Sequence, residues 1–316
     1  MKNAVVVGFE HHVRLACAGV RASRAAWRLR GYAATKLDFT RAAFSLMRAE
    51  ALVAVGGPSP PPRLTAVARS LNVPIVVVWV GSDVLAVTSS RAHYVREALN
   101  LSVAPWLSQE LKAAGVDAPY VPFIGVQIPA LPEAAASGTL RVLTYLPKNR
   151  ADFYGRRHVY TCAAALPDSA FEVVGSDAVD AAAPPNVRFL GWVSPERLFD
   201  GVDVLLRLPE HDGMSVMVLD ALAHARHVIW NHDVPGVRCA ANPHDAVAIL
   251  RELADLRRIG ALPLNDTGRA FVNAVYERSR VGETFAAALS ENTAVGRGAP
   301  RADFFRSLLA FVRKSA

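Results

Sequence analysis

The run Ile75–Trp79, IVVVW, sets the tightest limit on the fold. Five β-branched or aromatic residues in a row leave no polar face, so a strand here must be covered on both sides. A parallel sheet between helices provides that cover. Similar short runs occur at Ala4–Gly8 and Ala51–Val55, separated by helical spacing over His12–Leu29 and Pro62–Leu71. Leu101–Ala104 and Tyr120–Pro122 predict two further strands, with a helix over Leu107–Ala114 between them.

The segment IPALPEAAASGT, Ile128 to Thr139, interrupts this series. It is rich in proline and small residues and has no periodicity, which reads as an interdomain linker. The alternation then restarts. Strands are predicted at Leu140–Tyr145, Phe171–Gly175, Val187–Leu190, Val204–Leu208 and His227–Trp230. Helices are predicted at Phe153–Leu166, Ser215–His224 and Pro243–Arg258, and a separate amphipathic one at Pro300–Ser315. Strand–helix alternation in both halves implies an α/β chain with two doubly wound parallel sheets. With 316 residues two domains are expected: 1–128, joined by the tail helix 300–316, and 139–299.

The composition, 52% hydrophobic and 20% charged, excludes a largely disordered chain. Cys17, Cys162 and Cys239 are far apart, with no CxxC, which fits a reducing cytosol and argues against disulfides or a zinc site. The apolar run Ala4–Phe9 is too short for the core of a signal peptide, and no run is long enough to span a membrane. A cytoplasmic location is expected. Residues 1–50 hold nearly all of the net charge of +7: Lys2, Arg14, Arg21, Arg24, Arg28, Arg30, Lys36, Arg41 and Arg48 against Glu10, Asp38 and Glu50. Such a patch attracts an anionic membrane surface or a phosphorylated substrate. On the helical reading Arg21, Arg24 and Arg28 share one face. No nucleic-acid motif accompanies the patch.

The stretch PEHDGMSVMVLDALAHARHVIW, Pro209 to Trp230, carries the chemistry. It follows a buried strand, where open α/β sheets bind ligands. Gly213 permits a tight turn, and Ser215 suits a helix N-cap. The helix that follows then offers free N–H groups and a positive dipole end to a phosphate. Asp220 lies about five residues further on, roughly 7–8 Å along the axis. That is about the separation between a nucleotide's diphosphate and its ribose hydroxyls, whose protons a carboxylate accepts.

Asp212-x7-Asp220 followed by AxAxxRHVI resembles the E-x7-E signature of family-4 glycosyltransferases. FEVVGS, NVRFLGWVSPERL and DVLLRLPEHDGMSVMVLDALAHARHVIWNHDVPGV follow in that family's order, and IVVVWVGSDVL and SVAPWLSQELKAAGV resemble its N-terminal half. The resemblance implies the GT-B fold: two Rossmann-like domains facing a cleft, with the last helix crossing back to the first domain. It also implies sugar transfer from a nucleotide-diphosphate sugar, retaining and metal-independent, with no cofactor beyond that substrate. By resemblance, Asp212 sits by the donor sugar, Asp220 holds the ribose, and the amides of Gly213, Met214 and Ser215 hold the diphosphate; His211, from its place on the loop, faces whatever part of the donor lies beyond the phosphate. Trp192 neighbours the base. Lys148 and Arg150, with Arg156 third, stand where the family places cations on the diphosphate. His11, His12 and Asp83 are the acceptor-side candidates.

Three departures from the family pattern stand out. Both signature glutamates are aspartates. The glycine–arginine start of the C-terminal domain is replaced by YLPKNRADFYGRR. Val78 stands where relatives carry a histidine. The same residues leave two other readings open: a nucleotide-sugar epimerase on this fold, or a non-catalytic partner subunit.

Overall fold

The computed structural model describes residues 1–34, 38–56, 62–87, 95, 98–133, 136–177 and 180–293. The chain divides into two compact units. The first holds Met1–Gly125 and the described residues from Val275 on; the second is Val126–Ala274.

In the first unit five parallel strands are arranged in the order β2-β1-β3-β4-β5. They are β1 (Lys2–Gly8), β2 (Trp27–Ala33), β3 (Ala51–Val55), β4 (Ile75–Trp79) and β5 (Leu99–Ser102). Every residue of β3 and β4 is buried, as an unbroken apolar run requires. The indole N–H of Trp79, fully buried, donates to Asn100 Oδ1 at 3.1 Å, so no polar atom is stranded there. Among the described residues, the unit's helices before Gly125 are α1 (Glu10–Ala22), α2 (Phe39–Leu46), α3 (Pro62–Ser70) and α4 (Pro105–Ala113). Asp38 caps α2 by accepting from the Arg41 N–H.

The second unit has six parallel strands in the order β11-β10-β9-β6-β7-β8. They are β6 (Arg141–Tyr145), β7 (Ala170–Val174), β8 (Val187–Gly191), β9 (Val204–Arg207), β10 (His227–Trp230) and β11 (Val237–Cys239). The helices are α5 (Arg156–Ala165), α6 (Val216–Ala223), α7 (Pro243–Arg258) and α8 (Asp266–Val275). The core joins Val142, Phe171, Val173, Val204 and Leu206 from the sheet to Val159 and Cys162 of α5 and Leu250 of α7. Each such side chain stabilises the unit by about 1.5–3 kcal/mol. Beneath the sheet Asp203, 4% exposed, takes the Arg141 N–H at 2.9 Å and the Arg257 Nε at 3.0 Å.

The helix α9 (Arg278–Asn292) belongs to the first unit and packs on α1. Gly19 of α1 faces Gly282 of α9, so the two backbones approach closely. Residues 275–299 are expected from the sequence in the second domain; the described part through 293 groups with the first. Composition gave no warning, because the pairing depends on two glycines 263 residues apart. The expected tail helix Pro300–Ser315 lies outside the described residues.

The expected helix His12–Leu29 is two elements. Ser23 ends α1, its Oγ donating to the Val20 carbonyl at 2.8 Å. The chain then enters β2, where Trp27 is buried, Arg28 exposed, Leu29 half-buried and Arg30 exposed. That is a two-residue period on an edge strand, hidden in the sequence by the helical pattern before it. Arg28 therefore lies on a strand, not on a helix face with Arg21 and Arg24. Tyr120–Pro122 makes only one bridge, Ser102 to Tyr120, rather than a strand. β5 starts two residues before its expected position. The segment 128–139 is not a free linker: Arg269 Nη2 donates to the Pro129 carbonyl at 2.6 Å and the Gly138 N–H to the Arg257 carbonyl at 3.1 Å. Among the described residues no helix is long and apolar enough to cross a membrane.

Candidate functional site

Strand order marks a candidate binding end in each sheet before any side chain is considered. In the second unit the chain runs outward from β6 through β7 to β8, then returns to the other side through β9, β10 and β11. The order reverses between β6 and β9, and loops leaving the carboxyl ends of two such strands diverge and open a crevice. The loops there are Leu146–Gly155 and Leu208–Ser215. They contain Lys148, Arg150, His211, Asp212, Gly213, Met214 and Ser215, which the sequence pointed to separately.

The two loops are fastened to each other. The Glu210 N–H donates to the Phe153 carbonyl at 2.8 Å. Gly155, with φ 86° and ψ 29°, packs against the Leu208 carbonyl so closely that no Cβ would fit. Just after β10, the Asn231 side-chain amide donates to the Pro209 carbonyl at 2.8 Å.

Asp212 forms a bidentate pair with Arg207, the last residue of β9. Arg207 Nε donates to one carboxylate oxygen at 2.6 Å and Nη2 to the other at 3.0 Å. The two side chains are only 10% and 13% exposed. The Arg207 guanidinium lies 5.2 Å from the Tyr154 ring centre, and Tyr154 meets Tyr145 edge-to-face at 5.3 Å. On the same loop, Arg150 lies 4.1 Å from the Phe153 ring centre and 5.9 Å from that of Tyr154, so the loop aromatics contact both cations.

Ser215 is the N-cap of α6, its Oγ accepting from the Val218 N–H at 3.4 Å. Gly213, Met214 and Ser215 are buried, so the α6 N-terminus is held firmly at the carboxyl end of β9. Asp220 is half-buried on α6, beyond the Ser215 cap. Lys148 and Arg150 are exposed on the first loop. Arg156 is engaged elsewhere: it bonds Asp152 at 3.0 Å and Asp180 at 3.0 Å, with Tyr160 donating to Asp180 at 2.9 Å. Trp192 is 80% exposed just after β8, two strands from β6 and so roughly 10 Å along the sheet.

In the first unit the order reverses between β1 and β3. Phe9, 60% exposed after β1, lies against Gly56 after β3. His12 stacks edge-to-face with Phe9 at 6.1 Å and with His11 at 5.9 Å. His12 Nδ1 is shut away from solvent with no hydrogen-bond partner among the described residues. Burial, and then the charge of His11, push His12 down to about 4, so it is neutral at pH 7. Burial also lowers His11, helped by Arg14. Asp83 turns back to accept from the Gly81 N–H at 2.6 Å and the Val80 N–H at 3.0 Å. Burial nonetheless raises its carboxyl to about 6, against the pull of those bonds. Of the loop Gly56–Pro61, only Gly56 is described.

Arg207, Tyr154, Gly155 and Asn231 escaped the sequence reading. Arg207 left one trace: a charge closing an otherwise apolar strand requires a partner nearby.

No protein-family model and no curated protein matches the sequence. Solved structures do match the fold. A glycosyltransferase from Rickettsia africae ESF-5 aligns with a TM-score of 0.67 at 10% identity, over 93% of this chain and 100% of that one. Sucrose-phosphate synthase from Thermosynechococcus elongatus aligns at 0.62 and 11%, over 94% and 100%. The pneumococcal O-GlcNAc transferase GtfA, in complex with UDP and GlcNAc, aligns at 0.56 and 11%, over 78% of this chain and only 57% of its own length. At such identities the likeness shows the fold, which is GT-B: α/β, with two doubly wound parallel sheets.

Proposed function

We propose that this chain is a glycosyltransferase whose second unit binds a nucleotide-diphosphate sugar. One observation carries the reading: at the switch point of the second sheet, two fastened loops gather Lys148, Arg150, Asp212 and the capped N-terminus of α6. A diphosphate meets the α6 amides and dipole there, and the two cations take its outer oxygens. Asp220, further along α6, accepts from the ribose hydroxyls. Transfer breaks the bond between the anomeric carbon and the diphosphate oxygen and forms one from that carbon to an acceptor oxygen. The acceptor's proton leaves toward the departing diphosphate. Negative charge grows on the leaving group, so cations and helix amides aimed at it lower the barrier without a metal. Asp212 orients the sugar hydroxyls. We assign the acceptor to the first unit, at Phe9, His11, His12 and Asp83, and retention of configuration to the reaction.

A thermal-shift screen across nucleoside diphosphates and nucleotide-sugars tests the reading. A ligand at 100 times its Kd adds about 2.7 kcal/mol of stability. Transfer or slow hydrolysis of the stabilising sugar nucleotide is expected. A screen in which no diphosphate raises the melting temperature rejects the assignment. Binding without turnover in the presence of diverse acceptors favours a non-catalytic subunit.

A further inference from the structure

Arg207 closes the strand β9, whose other residues are all apolar, and directs Nε and Nη2 to the two carboxylate oxygens of Asp212. A surface arginine forming an incidental pair would be mobile and solvated. This one is 10% exposed, its partner 13%, and Tyr154 stands beside it from the neighbouring loop. The loop that carries Tyr154 also carries Lys148 and Arg150, and it is tied to the Asp212 loop through Glu210 and Gly155. Arg207 therefore joins the two halves of the candidate phosphate site.

The electrostatic consequence follows from sequence proximity. Asp212 is three residues before the Ser215 cap of α6. Any anion at that helix end has the Asp212 carboxylate as a close neighbour, in a setting with little water to screen it. A bare carboxylate there would repel a diphosphate. A carboxylate fully engaged by a guanidinium is neutral as a pair, and its oxygens can still each accept another donor, such as a sugar hydroxyl.

We propose that Arg207 is a positioning residue that cancels the charge of Asp212 and fixes its orientation, so that a diphosphate can bind beside that acid. The proposal rests on the glycosyltransferase reading above. It goes further by assigning a purpose to a residue outside the family signature. It also gives the shorter aspartate a role: Asp212 is pinned from the strand behind it.

Calorimetric titration decides the matter. Inorganic pyrophosphate, UDP, GDP and ADP are titrated against wild type, Arg207→Met, Asp212→Asn and the double variant, with the matching nucleosides as uncharged probes. Arg207→Met is expected to weaken diphosphate binding by tenfold or more, on the order expected for one poorly screened charge. Nucleoside binding should be unchanged, and adding Asp212→Asn should restore the diphosphate. A brace that only shapes the loop would weaken nucleosides and diphosphates alike, with no rescue, and that result overturns the proposal. If Arg207→Met alone fails to fold, the double variant still serves, since it leaves no unpaired buried charge. It must then bind pyrophosphate about as wild type does, because both carry no net charge at this pair, and clearly weaker binding rejects the proposal. A wild type that binds nucleosides but no diphosphate rejects both this proposal and the reading beneath it. Normal wild-type diphosphate binding without rescue rejects this proposal alone.

Discussion

Replacing Gly155 with alanine tests how the two loops of the second unit are joined. Gly155 occupies the left-handed region, with φ 86° and ψ 29°. An L-residue there costs about 1–2 kcal/mol. The added Cβ would also drive into the Leu208 carbonyl oxygen, which is backbone and cannot rotate aside. Overpacking of that kind costs about 1–3 kcal/mol. The expected total is about 2–5 kcal/mol, a large share of an ordinary domain's stability. For a unit of this size the melting temperature should fall by roughly 5–15 °C. Gly191→Ala supplies the control. Gly191 also has positive φ, 67°, but the nearest atom to its added Cβ is Asp177 Cβ at 3.6 Å, an ordinary contact. Only the backbone term applies there, so that variant should lose about 1–2 kcal/mol. Scanning calorimetry of the two, followed by pyrophosphate titration of Gly155→Ala, reads both consequences. Displacing Leu208 should also displace Pro209–Asp212 and weaken the diphosphate. Equal melting shifts for the two variants would show that the Gly155–Leu208 contact is not what holds the loops together.

Four further outcomes are expected. Gly282→Ala should destabilise the first unit by about 1–2 kcal/mol in urea unfolding, because its Cβ meets the Gly19 backbone, whereas Gly19→Ala, whose nearest neighbour is the Arg278 carbonyl oxygen at 3.4 Å, should be neutral or stabilising; the same sign for both contradicts the packing. His12, held neutral with its proton affinity down to about 4 from 6.5, leaves the unfolded chain the stronger proton binder, so stability should decline as pH falls from about 6.5 toward 4, by up to about 3 kcal/mol. His12→Gln should flatten that interval in a pH series of melting curves, and an unchanged slope discounts His12. Asp220→Ala should weaken UDP or GDP binding without lowering the melting temperature; equal affinities would remove Asp220 from the site. Vesicles containing phosphatidylglycerol should sediment the protein at low salt, with Arg21→Gln/Arg24→Gln/Arg28→Gln binding less, although Arg28 now lies on β2 rather than beside the other two; no binding at low salt leaves the charge as surface only.

The sequence by itself determined the layering and the positions of the fully buried strands. Runs such as IVVVW and VLLR can be buried on both faces only in a parallel sheet under helices, and that constraint is local. It also determined that Gly213 and Ser215 follow a strand and open a helix, because a glycine turn and an N-cap residue are local signals. One error arose where two local signals overlapped. Trp27–Arg30 alternates with a period of two, but it follows a helical run closely enough to be absorbed into it. Tertiary structure alone decided the partners. Asp212 reads as a free acid beside a sugar until β9 is laid down and Arg207 proves to be its counter-ion. Arg156 reads as a phosphate ligand until Asp152 and Asp180 come within reach of it. The grouping of α9 with α1 depends on Gly19 and Gly282 meeting across most of the chain. Hydrophobic period and turn chemistry act over a few residues, so they are written in order along the sequence. Ion pairing and close helix contact act through space, and only the folded chain sets which residues are neighbours there.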